Sequence, residues 1–151
     1  MYLFLQLDYD LLKSQIADLS KKLNEQKRSM IQSTRESSES WHDNAAFEEA
    51  ERQYNLWAEN LNQLLQIFNN ARVVEISGGM TVSIGKDVTV VDENGDQKTY
   101  LIGSYIVMAE NPDTISYASP VASLIMDAKV GDERSGNIGG IEKSFKIQSI
   151  K

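Results

Sequence analysis

The chain has 151 residues, 41% of them apolar and 25% charged, with seven excess negative charges. That composition fits one or two small folded domains, not a disordered chain, and the acidic balance excludes a protein whose main task is gripping free nucleic-acid phosphates. With no cysteine and one histidine, the chain has neither a disulfide framework nor the ligands of a thiolate or multi-histidine zinc site.

Met1 to Leu7 is apolar, but it lacks a positive flank, a long hydrophobic core and a small-residue cleavage site, and no later stretch reaches a membrane-spanning length. A cytosolic protein is the expectation. From Tyr9 the apolar residues run Tyr9, Leu12, Ile16, Leu19, Leu23 and Met30, alternately three and four apart, with polar Gln26 at the skipped position. That is a heptad seam. A second run, Phe47, Ala50, Tyr54, Trp57, Leu61, Leu64, Phe68 and Ala71, keeps the same alternation, and neither run contains proline or glycine.

Between the runs lies the Ser- and acid-rich segment from Ser33 to Asn44. Folding the chain there opposes Met30 to Phe47, Leu23 to Tyr54, Ile16 to Leu61 and Tyr9 to Phe68, a constant register. The pattern predicts an antiparallel coiled-coil hairpin over residues 1–75, with its tip at 36–44 and arms roughly 40 to 45 Å long. Two helices of a larger bundle, or a dimer through the seam, are the alternatives. The narrow stripe favours a single partner helix.

After Arg72 the pattern changes to short β-branched runs, beginning with Val73-Val74. Val88 to Val91 and Lys98 to Gly103 flank Asp92-Glu93-Asn94-Gly95-Asp96, and Asn-Gly between such runs signals a β-hairpin. The aspartates invite a calcium reading. An EF-hand loop, however, needs a helix on each side and a closing glutamate, where this chain has a strand. Ile115 to Ala118 is a further strand candidate. Ser119 is placed to cap a short helix over Val121 to Met126, with Pro120 at its first position. Gly131-Asp132 and Asn137 to Gly140 read as turns, and Lys143 to Ile150 as a final strand. Residues 76–151 are thus expected to form a small β-rich domain with one short helix, in an α+β protein. The credible boundary is Ile76 to Met80, where Gly78-Gly79 is a hinge or a turn.

No nucleophile motif, phosphate-cradling glycine loop or dinucleotide fingerprint is present. What stands out is a concentration of carboxylates near the expected tip: Glu36, Glu39, Asp43, Glu48, Glu49 and Glu51, against Arg35 and Arg52. Glu48, Glu49 and Glu51 suit the first turns of the second helix, where negative charge favours the macrodipole, and Asp43 or Asn44 suits its cap. Glu39 and Asp43 at the end of a stalk have the chemistry to complete the shell of a magnesium ion held elsewhere. Lys21, Lys22, Lys27 and Arg28 form a basic cluster on the first helix, readable as a solvated face or as a contact surface.

The block Asp43-Asn44-Ala45-Ala46-Phe47-Glu48-Glu49-Ala50 resembles the acidic-Asn-Ala-x-aromatic signature of the Gre transcript-cleavage factors. Asn70-Ala71-Arg72-Val73-Val74 is similar to that family's hairpin exit. Ser119-Pro120-Val121-Ala122, Leu124-Ile125 and Gly131-Asp132 resemble its C-terminal Ser-Pro-x-Ala, Leu-Ile and Gly-Asp positions. The resemblance covers nearly the whole chain in the right order. It implies a finger entering the secondary channel of bacterial RNA polymerase and an FKBP-like second domain holding the channel rim, with Ser119 and Pro120 at the polymerase contact. It also implies a monomer with no cofactor of its own, one that assists the polymerase without being an enzyme. Lys21, Lys22, Lys27 and Arg28 would lie in the region of RNA contact, and the nascent RNA 3′ end would be met indirectly.

In active relatives two tip carboxylates help bind the polymerase's second catalytic magnesium, so that its own site hydrolyses backtracked RNA. The family tip reads Gly-Asp-Leu-x-Glu-Asn. Aligned on Asn44, Glu39 replaces the glycine, Ser40 the aspartate, Trp41 the leucine and Asp43 the glutamate. The resemblance therefore implies Asp43 as the magnesium ligand and Asp43, Glu39 and Ser40 as the residues supporting cleavage, with a weakened tip because a serine hydroxyl is a neutral ligand. Trp41 is expected to fold over the seam, and His42 to be an ordinary polar residue. A non-catalytic regulator occupying the same channel is the competing reading. Prolyl isomerisation is a third, resting on the FKBP-like resemblance, and it requires an aromatic-lined pocket. Tyr100, Tyr105, Tyr117 and Phe145 are no more than strands need.

Overall fold

The computed structural model describes residues 1–36, 44–108 and 110–151. The elements in chain order are β1 (Tyr2–Phe4), α1 (Gln6–Glu36), α2 (Asn44–Asn69), β2 (Ala71–Val73), β3 (Asp87–Asp92), β4 (Gln97–Gly103), β5 (Thr114–Ser116), α3 (Pro120–Ile125), β6 (Glu133–Ile138) and β7 (Ile141–Ile150). They divide into two compact units. One is Asp10–Asn70, and the other combines Met1–Tyr9 with Ala71–Lys151.

The first unit is the helical hairpin. Along α1, Tyr9, Leu12, Ile16, Leu19, Leu23, Gln26 and Met30 are all buried or half-buried, while every other residue from Asp10 to Gln32 except Ser20 is exposed. The expected seam is therefore the seam of the helix, polar Gln26 included. On α2 the matching stripe of Ala50, Tyr54, Trp57, Leu61, Leu64 and Phe68 is half-buried or buried, but Phe47 is 39% exposed. Only residues 37–43 separate the two helices, a link that reaches at most about 29 Å. Packing α2 parallel beside α1 would require a return of about 39 Å or more, so the two helices run antiparallel. The second run ends earlier than its periodicity predicts, with Ala71 already in β2. Asn70 stops the helix: its backbone N–H donates to the Ile67 carbonyl at 3.2 Å and its side-chain amide to the Gln66 carbonyl at 2.8 Å.

The second unit is built on a five-stranded sheet of order β5-β4-β3-β7-β6, with β4–β5 parallel and the other pairs antiparallel. Val82, Val88, Val90, Ile102, Ala122, Ile125, Ala128, Phe145 and Ile147 form its core, and each large side chain among them contributes about 1.5–3 kcal/mol by leaving water. The β3–β4 hairpin forms where Asn-Gly predicts it. Gly95 takes φ +82°, and Asp92 Oδ1 accepts the backbone N–H groups of Asn94 and Asp96, each at 2.9 Å. That aspartate oxygen is thus committed to ordering its own turn.

Sequence and structure differ at four strands. β5 is Thr114–Ser116, not Ile115 to Ala118, because the segment leaves the sheet to form the turn that Ser119 N closes on the Ser116 carbonyl at 2.9 Å. β6, with the sequence Glu-Arg-Ser-Gly-Asn-Ile, carries no strand signal. It forms by pairing with β7 across a Gly139-Gly140 turn with φ +61° and +84°, and β7 starts two residues earlier than expected. β1 pairs in parallel with β2, Tyr2 opposite Ala71 and Phe4 opposite Val73. This pairing draws the first nine residues and Ala71–Glu75 into the β unit, whereas the linear division places both segments in the hairpin domain.

Candidate functional site

Residues 37–43 between the two helices contain Glu39, Ser40 and Asp43, together with Trp41 and His42, and these five lie outside the described residues. The carboxylates just beyond them are described. Glu48, Glu49 and Glu51 are exposed, and the first turn of α2 carries no acid, so they sit one turn deeper than a dipole-stabilising position. Glu49 pairs with Arg52 at 2.5 Å on the open surface. The carboxylate holds the guanidinium above its usual pKa, and such an exposed pair adds little to stability. Glu48, Glu51, Arg52, Asn55, Leu56 and Glu59 line a shallow depression on the same helix. Among the described residues, no group of three or more His, Cys, Asp or Glu side chains is placed to hold a metal ion.

Lys21, Lys22, Lys27 and Arg28 are all exposed, but they do not make a single stripe. Lys21 and Arg28, seven residues apart, share the side opposite the seam. Lys22 and Lys27 flank the seam on either side, as 3.6 residues per turn requires. The helix therefore shows positive charge around much of its circumference.

In the β unit, Ser119 caps α3. Its hydroxyl accepts the Ala122 N–H at 3.3 Å, its carbonyl accepts the Ser123 N–H at 2.8 Å, and Pro120 occupies the first helical position. The hydroxyl is thus engaged within the helix, whereas Pro120 is exposed. Beside α3 lies a groove of about 270 Å³ floored by Val90, Tyr100, Val121, Ile138 and Phe145, with Asp92, Asp96, Lys98 and Lys143 at its lining. The Lys98 ammonium lies 5.0 Å from the centre of the Tyr100 ring, a cation–π contact that holds the lysine across this wall.

The four aromatics that strand chemistry alone accounts for divide into two groups. Tyr100 and Phe145 line the groove. Tyr105 and Tyr117 instead meet the N-terminal strand: the Tyr2 and Tyr105 rings are 4.4 Å apart, and Tyr117 Oη accepts the Leu3 N–H at 3.1 Å. Sequence reasoning missed this cluster, whose only local signal is a tyrosine at each of three distant positions.

No helix among the described residues is long and apolar enough to cross a membrane. Residues 78–151 match the family model described as the C-terminal region of the transcription elongation factors GreA and GreB. The chain is 34% identical over 98 residues to the transcription elongation factor GreA of Maricaulis maris, a stretch covering 62% of each protein. It is 28% identical over 115 residues to GreA of Rhodospirillum rubrum, covering 72% of this chain and 71% of that one. The crystal structure of the GreA factor homolog 1 protein of Thermus thermophilus aligns with a TM-score of 0.46 at 22% identity, covering 99% of this chain and 97% of that one.

Proposed function

From the match of residues 78–151 to the C-terminal region of the transcription elongation factors GreA and GreB, we propose that the chain is a transcription elongation factor of that family acting on RNA polymerase. In this reading the hairpin enters the secondary channel, the β unit holds the channel rim, and cleavage of backtracked RNA is stimulated at reduced efficiency. The observation that carries it is the junction of a two-helix, single-seam hairpin to a GreA/GreB C-terminal region in one chain. A seam with one partner helix gives a stiff stalk, and Asp43 stands in the segment between its arms.

The factor is not the catalyst. The polymerase supplies both magnesium ions and the reaction, and Asp43 is the residue that would ligate the second of them, with Glu39 and Ser40 beside it in sequence. Pro120 is the exposed member of the Ser119-Pro120 pair and the side chain available to a partner, while Ser119 shapes the turn that presents it. Lys21 and Arg28 offer phosphate-compatible charge to RNA. The chain acts as a monomer in the cytoplasm.

The test is the addition of purified protein and magnesium to backtracked elongation complexes. Weak shortening of the RNA is expected, lost in Asp43→Ala and raised in Ser40→Asp. Strong cleavage unaffected by Asp43→Ala would overturn this account of the tip. The second reading, a channel-occupying regulator without cleavage activity, is favoured by Ser40 standing where an aspartate is expected. It predicts that the protein displaces a Gre cleavage factor from the polymerase while shortening no RNA. Failure to displace that factor at saturating concentration removes channel binding altogether.

A further inference from the structure

The residue at the N-cap of α1 has no side-chain acceptor of its own. The Leu5 carbonyl accepts the Tyr9 N–H at 2.9 Å, which makes Leu5 the N-cap residue. Leucine has no side-chain oxygen, although this position favours Ser, Thr, Asp or Asn because free amides need an acceptor there. Ser104, 99 residues away, does not replace that oxygen but completes the reciprocal half of a capping box, in which the N-cap residue's own amide finds an acceptor. The Ser104 hydroxyl accepts the Leu5 N–H at 2.9 Å and donates to Asp8 Oδ2 at 2.5 Å. Asp8 is the third residue of α1, the position whose side chain reaches back to the N-cap amide in a capping box. Aspartate is one methylene shorter than the usual glutamate, and the serine hydroxyl spans the gap.

The direction of this relay is determined. The Leu5 amide can only donate, so the hydroxyl proton points to the carboxylate, and 2.5 Å lies in the range of a charge-assisted O–H···O⁻ bond. Ser104 is fully buried and is the one buried polar residue among those described, so water does not substitute for either bond. The neighbouring backbone is held on both of its polar groups. Tyr105 N–H donates to the Leu3 carbonyl at 3.0 Å, and the Leu3 N–H donates to Tyr117 Oη at 3.1 Å.

We propose that Ser104 is a positioning residue, a capping group supplied by the β unit to the first turn of α1 through Leu5 and Asp8. The helix start is then conditional on the segment at the end of β4 being in place, although the residues of that first turn precede Ser104 by more than ninety positions. This inference goes beyond the proposed polymerase function and does not depend on it.

Amide hydrogen exchange on the full-length protein tests it. In Ser104→Ala, protection of the Leu5 amide is expected to fall by about tenfold or more, since a buried bond in a charged network is lost, while amides paired between β3 and β7 keep theirs. Ser104→Thr, which retains the hydroxyl, restores protection at Leu5. Asp8→Ala, at the half-buried end of the relay, lowers it by about threefold, and the Asp8→Ala/Ser104→Ala double variant exchanges no faster at Leu5 than Ser104→Ala alone. Wild-type protection at Leu5 in either single variant, or full additivity in the double variant, overturns the proposal. Should Ser104→Ala fail to fold, the Asp8→Ala result decides by itself.

Discussion

The two units of this chain solve the problem of burial in opposite ways. In the hairpin each helix buries a strip one or two side chains wide. Most seam residues are half-buried, and among the described residues of the Asp10–Asn70 unit the buried side chains are Leu12, Leu23 and Leu64. In the β unit nine side chains from three strands, the short helix and their connecting segments converge on one core, six of them at 0% exposure. A strip distributes its stability along the chain in small increments, each set by residues three or four apart. A core concentrates it in contacts between residues far apart in sequence. The hairpin is therefore expected to hold or lose its structure turn by turn, whereas the β unit folds as a whole.

Substitutions sharpen that contrast. The largest effect is expected from Ile102→Ala in the β unit, where a fully buried side chain leaves a cavity among close-packed neighbours. Urea denaturation should show a loss of about 3–4 kcal/mol. In the hairpin, Leu23→Ala removes a seam residue with solvent near it and should cost less, about 2 kcal/mol, read from hydrogen exchange along α1. A Leu23→Ala loss matching that of Ile102→Ala would break the distinction between strip and core. The reverse substitution, Gln26→Leu, completes the seam and should slow exchange in α1.

The smallest effect concerns Glu93. Its carboxylate is held below the ordinary glutamate value of 4.5, first by its own backbone N–H and next by that of Ser144, which donates to Oε2 at 3.1 Å. A depressed folded-state pKa means that the contribution is present above the unfolded value and is lost as pH falls through the folded one. Wild type should therefore lose slightly more stability than Glu93→Gln between pH 5 and pH 3, measured as the shift in urea midpoint. An equal shift in both proteins would show that this surface clamp contributes nothing.

Legibility followed the same division. The hairpin seam, including polar Gln26 within it, was readable because helix periodicity is a local property. Asn94-Gly95 and Ser119-Pro120 were readable for a similar reason: turns and caps are decided within four or five residues. The β6 strand was not, since Ser135 and Gly136 carry no strand preference and become extended only because β7 offers them partners. Nor was the end of α2, where the apolar run continues through Ala71 but Asn70 takes up the Gln66 carbonyl. Of the candidate site, Asp43, Glu39 and Ser40 rest on the sequence resemblance, while the structure defines the surroundings of Ser119 and Pro120 and the grouping of Tyr100 with Phe145.

By itself, then, the sequence determined where the helices lie, which of their faces are buried and where the chain turns. All of these follow from residue types at short, regular spacings. Tertiary structure decided that Tyr2–Phe4 is a strand, that β6 belongs to the sheet, and that a leucine is the N-cap of a 31-residue helix. Each of these depends on a hydrogen-bond partner supplied from a distant part of the chain, and separation in sequence carries no signal of it.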